Sequence, residues 1–447
     1  MFCKKLCPPP NPGFDIPCLG KQTPFCSQKL FAMRYPFYYP VALGLLALLL
    51  FPGCLRDKCT TQKTYKRYDP VYKTAAECNR GFQVQPVRDL VNPGKIYYFD
   101  HYLLINERNE GIHVIDNSDP ANPVKIAFWS IPGNVDMAVR GHYLYADQYI
   151  NLMTIDIENI ASPQTVCYRE NAFSLYGFNP QQGWLVGYDV SEVTEELPCD
   201  EVGNNPWWFE GDVIMVDAQF DGVNSDGSSS VPTGIAGSFS RFGLVDEYLY
   251  TVDNSTLKSW SLAQPDCPAT TDSVLVGWNI ETLFPWKDRL FIGSQQGVFI
   301  FNNSNPKHPV LESTFWHATG CDPVVCDDNH AYVTLHDGTT CNGTLNQLDV
   351  INIENLPVAT LEATYSMQRP LGLAVRDQYL YLCDDGLKIY DKSQATNLQQ
   401  LAHLDKLKAT DVISLDSNHL LVIGDDGFFQ IDVTNPSEPK LISQIRK

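Results

Sequence analysis

The side chains with chemical potential in this 447-residue chain fall into a few groups. Lys95, Asp136, Arg241, Thr282, Asp322, Arg369 and Asp411 each stand a few residues ahead of a short apolar run, of which HYLYADQ (142–148) is typical. A recurring fold would bring them to equivalent places. Charges of both signs converging on a concavity make a ligand site. Paired carboxylates at a set separation are also what glycoside cleavage needs, and Asp136, Asp322 and Asp411 are the candidates. Ion pairs that hold neighbouring units in register are the competing use of the same residues. Arg241 fits either role, because its planar fork suits a carboxylate on a ligand or on a neighbour such as Asp136.

The aromatic run Trp207, Trp208 and Phe209 offers rings for stacking on a sugar or seating a peptide, or a plug that anchors a loop. Asp221, Asn224 and Asp226 supply oxygens at short spacing, as calcium requires. Gly222 breaks the helix-loop-helix calcium pattern, however, so the run DGVNSDGSSS (221–230) reads as a solvated turn. The nine histidines, His113 and His142 among them, lack ligand spacing. No phosphate-binding glycine loop, His-Glu-x-x-His, Gly-x-Ser-x-Gly or nucleotide fingerprint is present. Neither a metal nor a cofactor is expected.

Cysteine carries a different chemistry at the N-terminus. Arg34 precedes the apolar run VALGLLALLLF (41–51), which leads into Pro52-Gly53-Cys54. A basic residue, a short apolar stretch and a small residue before a cut make an export signal, and the run is short of the ~20 residues of a membrane span. Cys54 after Gly53 resembles the bacterial lipobox, in which that thiol is acylated and becomes the mature N-terminus. Met33 opens this signal by itself, so residues 1–32, with Cys3, Cys7, Cys18 and Cys26 among prolines, read as an over-called start. Their spacing matches no zinc pattern. Residues 33–53 are then the signal and 54–81 a polar tether. Beyond Cys54 nine cysteines remain, an odd number that leaves at least one thiol unpaired within the chain. Cys167 with Cys199 is the expected disulfide. Without residues 1–53, which hold five bases and one acid, 27 bases face 51 acids, a net charge of −24. Such a surface repels phosphate backbones, which argues against nucleic acid as a partner.

What must position these residues is a repeat. GIHVIDNSDPANPVKI (111–126) and GFFQIDVTNPSEPKLI (427–442) are copies of one unit, and further copies begin at Asn151, Gly297, Gln347 and Gly386, with a weaker one near Thr256. Upstream of each lies a run such as HYLLINE (101–107), EYLYTVD (247–253) or QYLYLCD (378–384), and before that another short apolar stretch. Alternation over six or seven residues is the strand period, and the Asp, Asn, Gly and Pro between runs are turn formers. Each unit of about forty residues therefore predicts four antiparallel strands. One such sheet cannot bury both faces. Stacking the sheets around an axis does, so the expected fold is all-β, a seven-bladed β-propeller over 82–447 with an insertion at 169–237.

The Asp/Asn-x-Ser-x-Pro turns after Ile-Asp strands, and above all IPGNVDMAVRGHYLYAD (131–147), resemble the LVIVD-repeat propellers of exported bacterial proteins. The resemblance spans about residues 90–446 and implies a fold more than an activity. It implies an envelope lipoprotein at an outer membrane or cell surface, monomeric and membrane-held through Cys54. There it would present a non-catalytic scaffold to a protein, peptide or glycan. The alternative is a propeller hydrolase or lyase using the channel-mouth carboxylates.

Overall fold

The structure is a computed structural model and describes residues 60–79, 81–173, 178–198, 235–236, 238, 240–317, 323–336 and 345–447. Cys54, Trp207, Trp208, Phe209, Asp221, Asn224, Asp226 and Asp322 lie outside the described residues, as do the signal and residues 1–32. Strands dominate, and the one α-helix among the described residues is the single turn Ala75–Cys78.

Seven antiparallel sheets follow one another along the chain and are numbered here in that order: 93–130, 137–169, 242–275, 280–316, 324–366, 370–404 and 409–446. Six have four strands. Sheet 1 has six, because Gln83–Gln85 pairs outside Val124–Ser130 and Ile235–Ala236 pairs inside Pro93–Phe99. The second and third strands are buried along nearly their whole length, as in Tyr143–Gln148 and Asn151–Asp156. Both faces of these strands are covered by neighbouring sheets, so alternation survives mainly on the outermost strands, such as Lys440–Arg446.

The repeated turn has a double role. Its Asp or Asn caps the exit of the third strand: Asp116, Asp156, Asn302, Asn352, Asp391 and Asp432 each accept the amide two residues on. Such short Asx turns are why this residue type recurs there. The proline that follows docks the turn on the preceding sheet. Tyr145 Oη donates to the Pro265 carbonyl (2.8 Å), Tyr250 Oη to Pro306 (2.9 Å) and Gln430 Nε2 to Pro120 (2.9 Å). The last of these joins sheet 7 to sheet 1, alongside a reciprocal amide pair between Gln430 and Asn117 and an apolar layer of Ile96, Leu103 and Ile105 with Ile413, Leu421 and Phe428. Glycine opens the third strand in several units because the backbone is positive there. Gly427 has φ 122°, and a side chain would run into the Ile445 carbonyl.

Two expectations need correction. Residues 60–73 fall within the segment read as a tether, yet Thr60–Lys73 is a strand paired along its length with Gly183–Pro198, inside the insertion. The run TTQKTYKRY is rich in β-branched and aromatic residues, and its bases Lys63 and Lys66 stand in register with Glu195 and Glu192. Polarity hid a strand that needs no core. The disulfide also differs. Cys167 pairs with Cys267, not Cys199, across a Cα–Cα distance of 5.2 Å. The last strand of sheet 2 lies against the turn at 265–268 of sheet 3, where Arg169 donates to the Pro268 (2.8 Å) and Cys267 (3.3 Å) carbonyls. Contiguity in sequence favoured Cys199; packing of successive sheets selects Cys267. Cys78, Cys326 and Cys383 are buried thiols.

This bond closes a loop of 100 residues. Replacing both cysteines by serine is expected to lower stability by about 2–4 kcal/mol. The check is denaturant unfolding with and without reductant, in which reduced wild type should match the variant.

Candidate functional site

The first strands of the sheets carry the residues singled out by spacing, and a short segment at the end of the insertion decides their environment. Ile235 and Ala236 pair with Tyr98 and Tyr97 of sheet 1. Ser238 Oγ lies 3.3 Å from Asp411 Oδ1 of sheet 7 and accepts the Leu373 amide of sheet 6 (2.9 Å). The Ser240 carbonyl accepts the Leu283 amide of sheet 4, and its hydroxyl is 3.2 Å from Asp136 Oδ2, at the entry to sheet 2. Phe242 then opens sheet 3. Within eight residues the chain bonds to five sheets and enters a sixth, so their inner edges converge on it.

Beneath this segment sits a buried ionisable cluster. Lys95 Nζ and Asp136 Oδ2 are 2.6 Å apart, with both side chains 5% exposed or less. Asp136 also accepts the main-chain amides of Arg241 (2.6 Å), Phe242 (3.1 Å) and Met137 (2.7 Å). The expected Arg241–Asp136 link therefore exists through the Arg241 backbone, and the ammonium beside Asp136 is that of Lys95. Asp147 accepts from Asn134 Nδ2 and from the Val135 and Asp136 amides, all at 2.8 Å. Burial nevertheless raises its carboxyl to about 6. Asp411 is raised further, to about 8, again by burial, which outweighs the Val412 and Ser238 backbone bonds and the pull of Lys95. Burial lowers Lys95 to about 8 against the opposing influence of Asp136.

Of the spaced set, then, the structure brings together Lys95, Asp136, Arg241 and Asp411. Thr282 is fully buried on sheet 4, whereas Arg369 is exposed and only its amide, bonded to Asp384 (2.7 Å), is fixed. Sequence reasoning missed the acids that end the second strands. Glu107 receives the Val91 and Asn92 amides, Asp147 those of Val135 and Asp136, and Asp384 those of Gln368 and Arg369. Each staples the loop that enters its own sheet. The charge is answered by His113 at 2.9 Å on Glu107 and Lys388 at 2.6 Å on Asp384. Burial works to raise Glu107, but His113 and the two amides outweigh it and hold the carboxyl low. The recurring acid of the YLYxxD run was the signal, and loop closure is its purpose.

A model of the LVIVD repeat matches residues 133–167 and 409–446, which are essentially sheets 2 and 7. The chain carries LVIVD repeats. Among solved structures, this LVIVD-repeat chain is similar to a protein from Lactobacillus plantarum at 11% identity, over 79% of this chain and 96% of that one, with a TM-score of 0.50. It is also similar to BamB from Moraxella catarrhalis (10% identity, 83% and 97% covered, TM-score 0.43) and to the periplasmic gluconolactonase PpgL of Pseudomonas aeruginosa (11%, 79% and 96%, 0.44), both β-propellers. At these identities the likeness is one of fold. No curated protein matches the sequence. No helix among the described residues is long and apolar enough to cross a membrane.

The cluster makes stability depend on pH in a definite direction. An unfolded aspartate titrates near 3.9. Between that value and about 8 the folded chain keeps on Asp411 a proton that the unfolded chain has released, so stability falls as pH rises through this window. Asp147 acts the same way up to about 6. Lys95 acts at higher pH: above about 8 the folded chain has lost a proton that the unfolded chain keeps, so stability recovers. Asp411→Asn should remove much of the decline in melting temperature between about pH 5 and pH 8, read by calorimetry. A wild-type slope in that variant would show Asp411 already ionised. Lys95→Ala should cost about 3–5 kcal/mol by leaving Asp136 charged and unpaired, and Arg369→Ala no more than ~0.5, both measured by denaturant unfolding.

Proposed function

We propose that the seven sheets form a closed seven-bladed β-propeller that is exported, tethered by an acylated Cys54 and used as a non-catalytic scaffold for a protein, peptide or glycan. Each sheet packs on the next, and sheet 7 meets sheet 1 through Gln430, Asn117 and the apolar layer around Phe428. The observation that carries the non-catalytic reading is the state of Asp136. Its carboxylate is 2% exposed and is engaged by Lys95, Ser240 and three main-chain amides. Acid–base cleavage needs two carboxyl groups open to a substrate between them. Asp136 and Asp411 instead lie under the Ser238–Arg241 segment, so catalysis by these residues is not favoured.

With the inner edge used for cohesion, recognition falls to the loops. The insertion carries the Trp207-Trp208-Phe209 run, and rings of this kind suit a sugar face or a peptide. Replacing Trp207, Trp208 and Phe209 together by alanine is expected to abolish binding on glycan and peptide arrays, while deleting residues 210–232 should leave circular dichroism and melting unchanged. Array binding that survives the triple substitution, or turnover of a labelled polysaccharide by the wild type, would overturn this assignment. The anchor is tested separately. Cys54→Ala should lose incorporation of a clickable fatty acid in an expressing bacterium, and equal label in variant and wild type would remove the lipid from the scheme.

A further inference from the structure

Sheet 2 carries a cluster that neither the repeat nor the central charges account for. His142 stands in the turn entering the second strand, and Asp156 and Glu158 stand at the exit of the third. They are 14 and 16 residues from His142 in sequence, yet the hairpin register pairs Tyr143 with Asp156 and so folds them onto one corner. One ligand atom from each lies within 4.8 Å of the others, with His142 and Glu158 exposed and Asp156 partly so.

The same corner of sheet 1 shows what the ordinary arrangement is. There His101 Nδ1 is held by Asp100 Oδ2 at 2.6 Å, and Asp116 takes the hydroxyl of Ser118 at 2.6 Å. Ser393 caps Asp391 in the same way on sheet 6. Sheet 2 differs at both supporting positions. Gly141 stands where Asp100 would hold the imidazole, and Glu158 stands where Ser118 would cap the aspartate. The result is an imidazole with no hydrogen-bond or ion-pair partner among the described residues, facing two carboxylates with no cation. Asp156 keeps its Asx turn by accepting the Glu158 amide at 2.9 Å, which orients its carboxylate.

The neighbouring sheet 3 packs its turn on sheet 2 beside this hairpin. The turn bearing Asp266 is fixed on sheet 2 by the Cys167–Cys267 disulfide, the Tyr145–Pro265 bond and Arg169. Two carboxylates and an imidazole thus stand together beside this junction, on a chain whose net charge already attracts cations.

We propose that His142, Asp156 and Glu158 bind a divalent transition-metal ion, with zinc the best fit. One imidazole nitrogen with carboxylate oxygens is a borderline donor set that suits zinc over the hard calcium and magnesium ions. Tetrahedral ligands at about 2.0–2.2 Å from zinc lie roughly 3.3–3.6 Å apart, and rotation of the exposed His142 and Glu158 side chains brings the atoms to that spacing. Three protein ligands leave a fourth position open to water.

The test uses the full-length protein, stripped of metal and titrated with zinc chloride by calorimetry, with cobalt absorption as a second readout. One equivalent per chain is expected. His142→Ala and Glu158→Ser, the latter restoring the residue of sheet 1, should each weaken uptake by at least about ten-fold, with circular dichroism unchanged. His101→Ala should leave uptake intact. Absence of stoichiometric binding in the wild type, binding that survives either sheet 2 substitution, or equal loss in His101→Ala would overturn the proposal.

Discussion

A four-stranded sheet whose central strands are apolar on both faces has no side it can leave to water. Everything in this molecule follows from that constraint. Tyr143–Gln148 and Asn151–Asp156 are buried almost throughout only because sheets 1 and 3 cover them. No sheet is a folding unit alone, and the polar groups that join sheets must be satisfied where they meet. Hence the tyrosine hydroxyls and the Gln430 amide reach across to turn carbonyls, and the turn that ends one unit becomes the docking surface for another. Loss of one such bond leaves a buried donor without a partner, a penalty of about 1–3 kcal/mol beyond the bond itself.

The inner edge answers the same constraint with charge. First strands converge where backbone and side-chain polar groups cannot all find water. Lys95, Asp136, Asp147 and Asp411 occupy that place, with Ser238 and Ser240 as hydroxyl bridges between sheets. Buried ions are poor contributors to net stability and are best understood as specifying one arrangement. Register is the benefit here: Asp136 is satisfied only when the chain at 240–242 lies across it with its amides aligned.

Much of this was legible in the residues. The turn prolines and the Ile-Asp strands located the repeats, because turn chemistry is local and needs no tertiary context. Lys95, Asp136, Arg241 and Asp411 lie near one another because equivalent positions of a repeat converge. What escaped were features set by register or by contact between units. Cys167 could not be matched to Cys267 without knowing that sheet 2 packs on the turn of sheet 3. Thr60–Lys73 was hidden because its small sheet, formed with Gly183–Pro198 and Phe178–Asn179, has no apolar face to declare itself. His142, Asp156 and Glu158 become neighbours only through the pairing of Tyr143 with Asp156, an adjacency that sequence spacing conceals.

The segment that ends in Phe242 also places a demand on synthesis. Ser238 is made 173 residues before its partner Asp411 and 135 before Leu373. At about 5–20 residues per second, a ribosome needs some 10–35 s to span the longer gap. Over that time the nascent chain starts from sheets 1 and 2 and adds sheets 3 to 6 in turn, with the centre unlatched and one apolar face of the growing stack exposed. On the proposed export route, the chain would not bear this risk in the cytosol, being threaded unfolded and assembled only on arrival. Vectorial delivery would then act as a timer, with the arrival of sheet 7 as the moment the stack can latch.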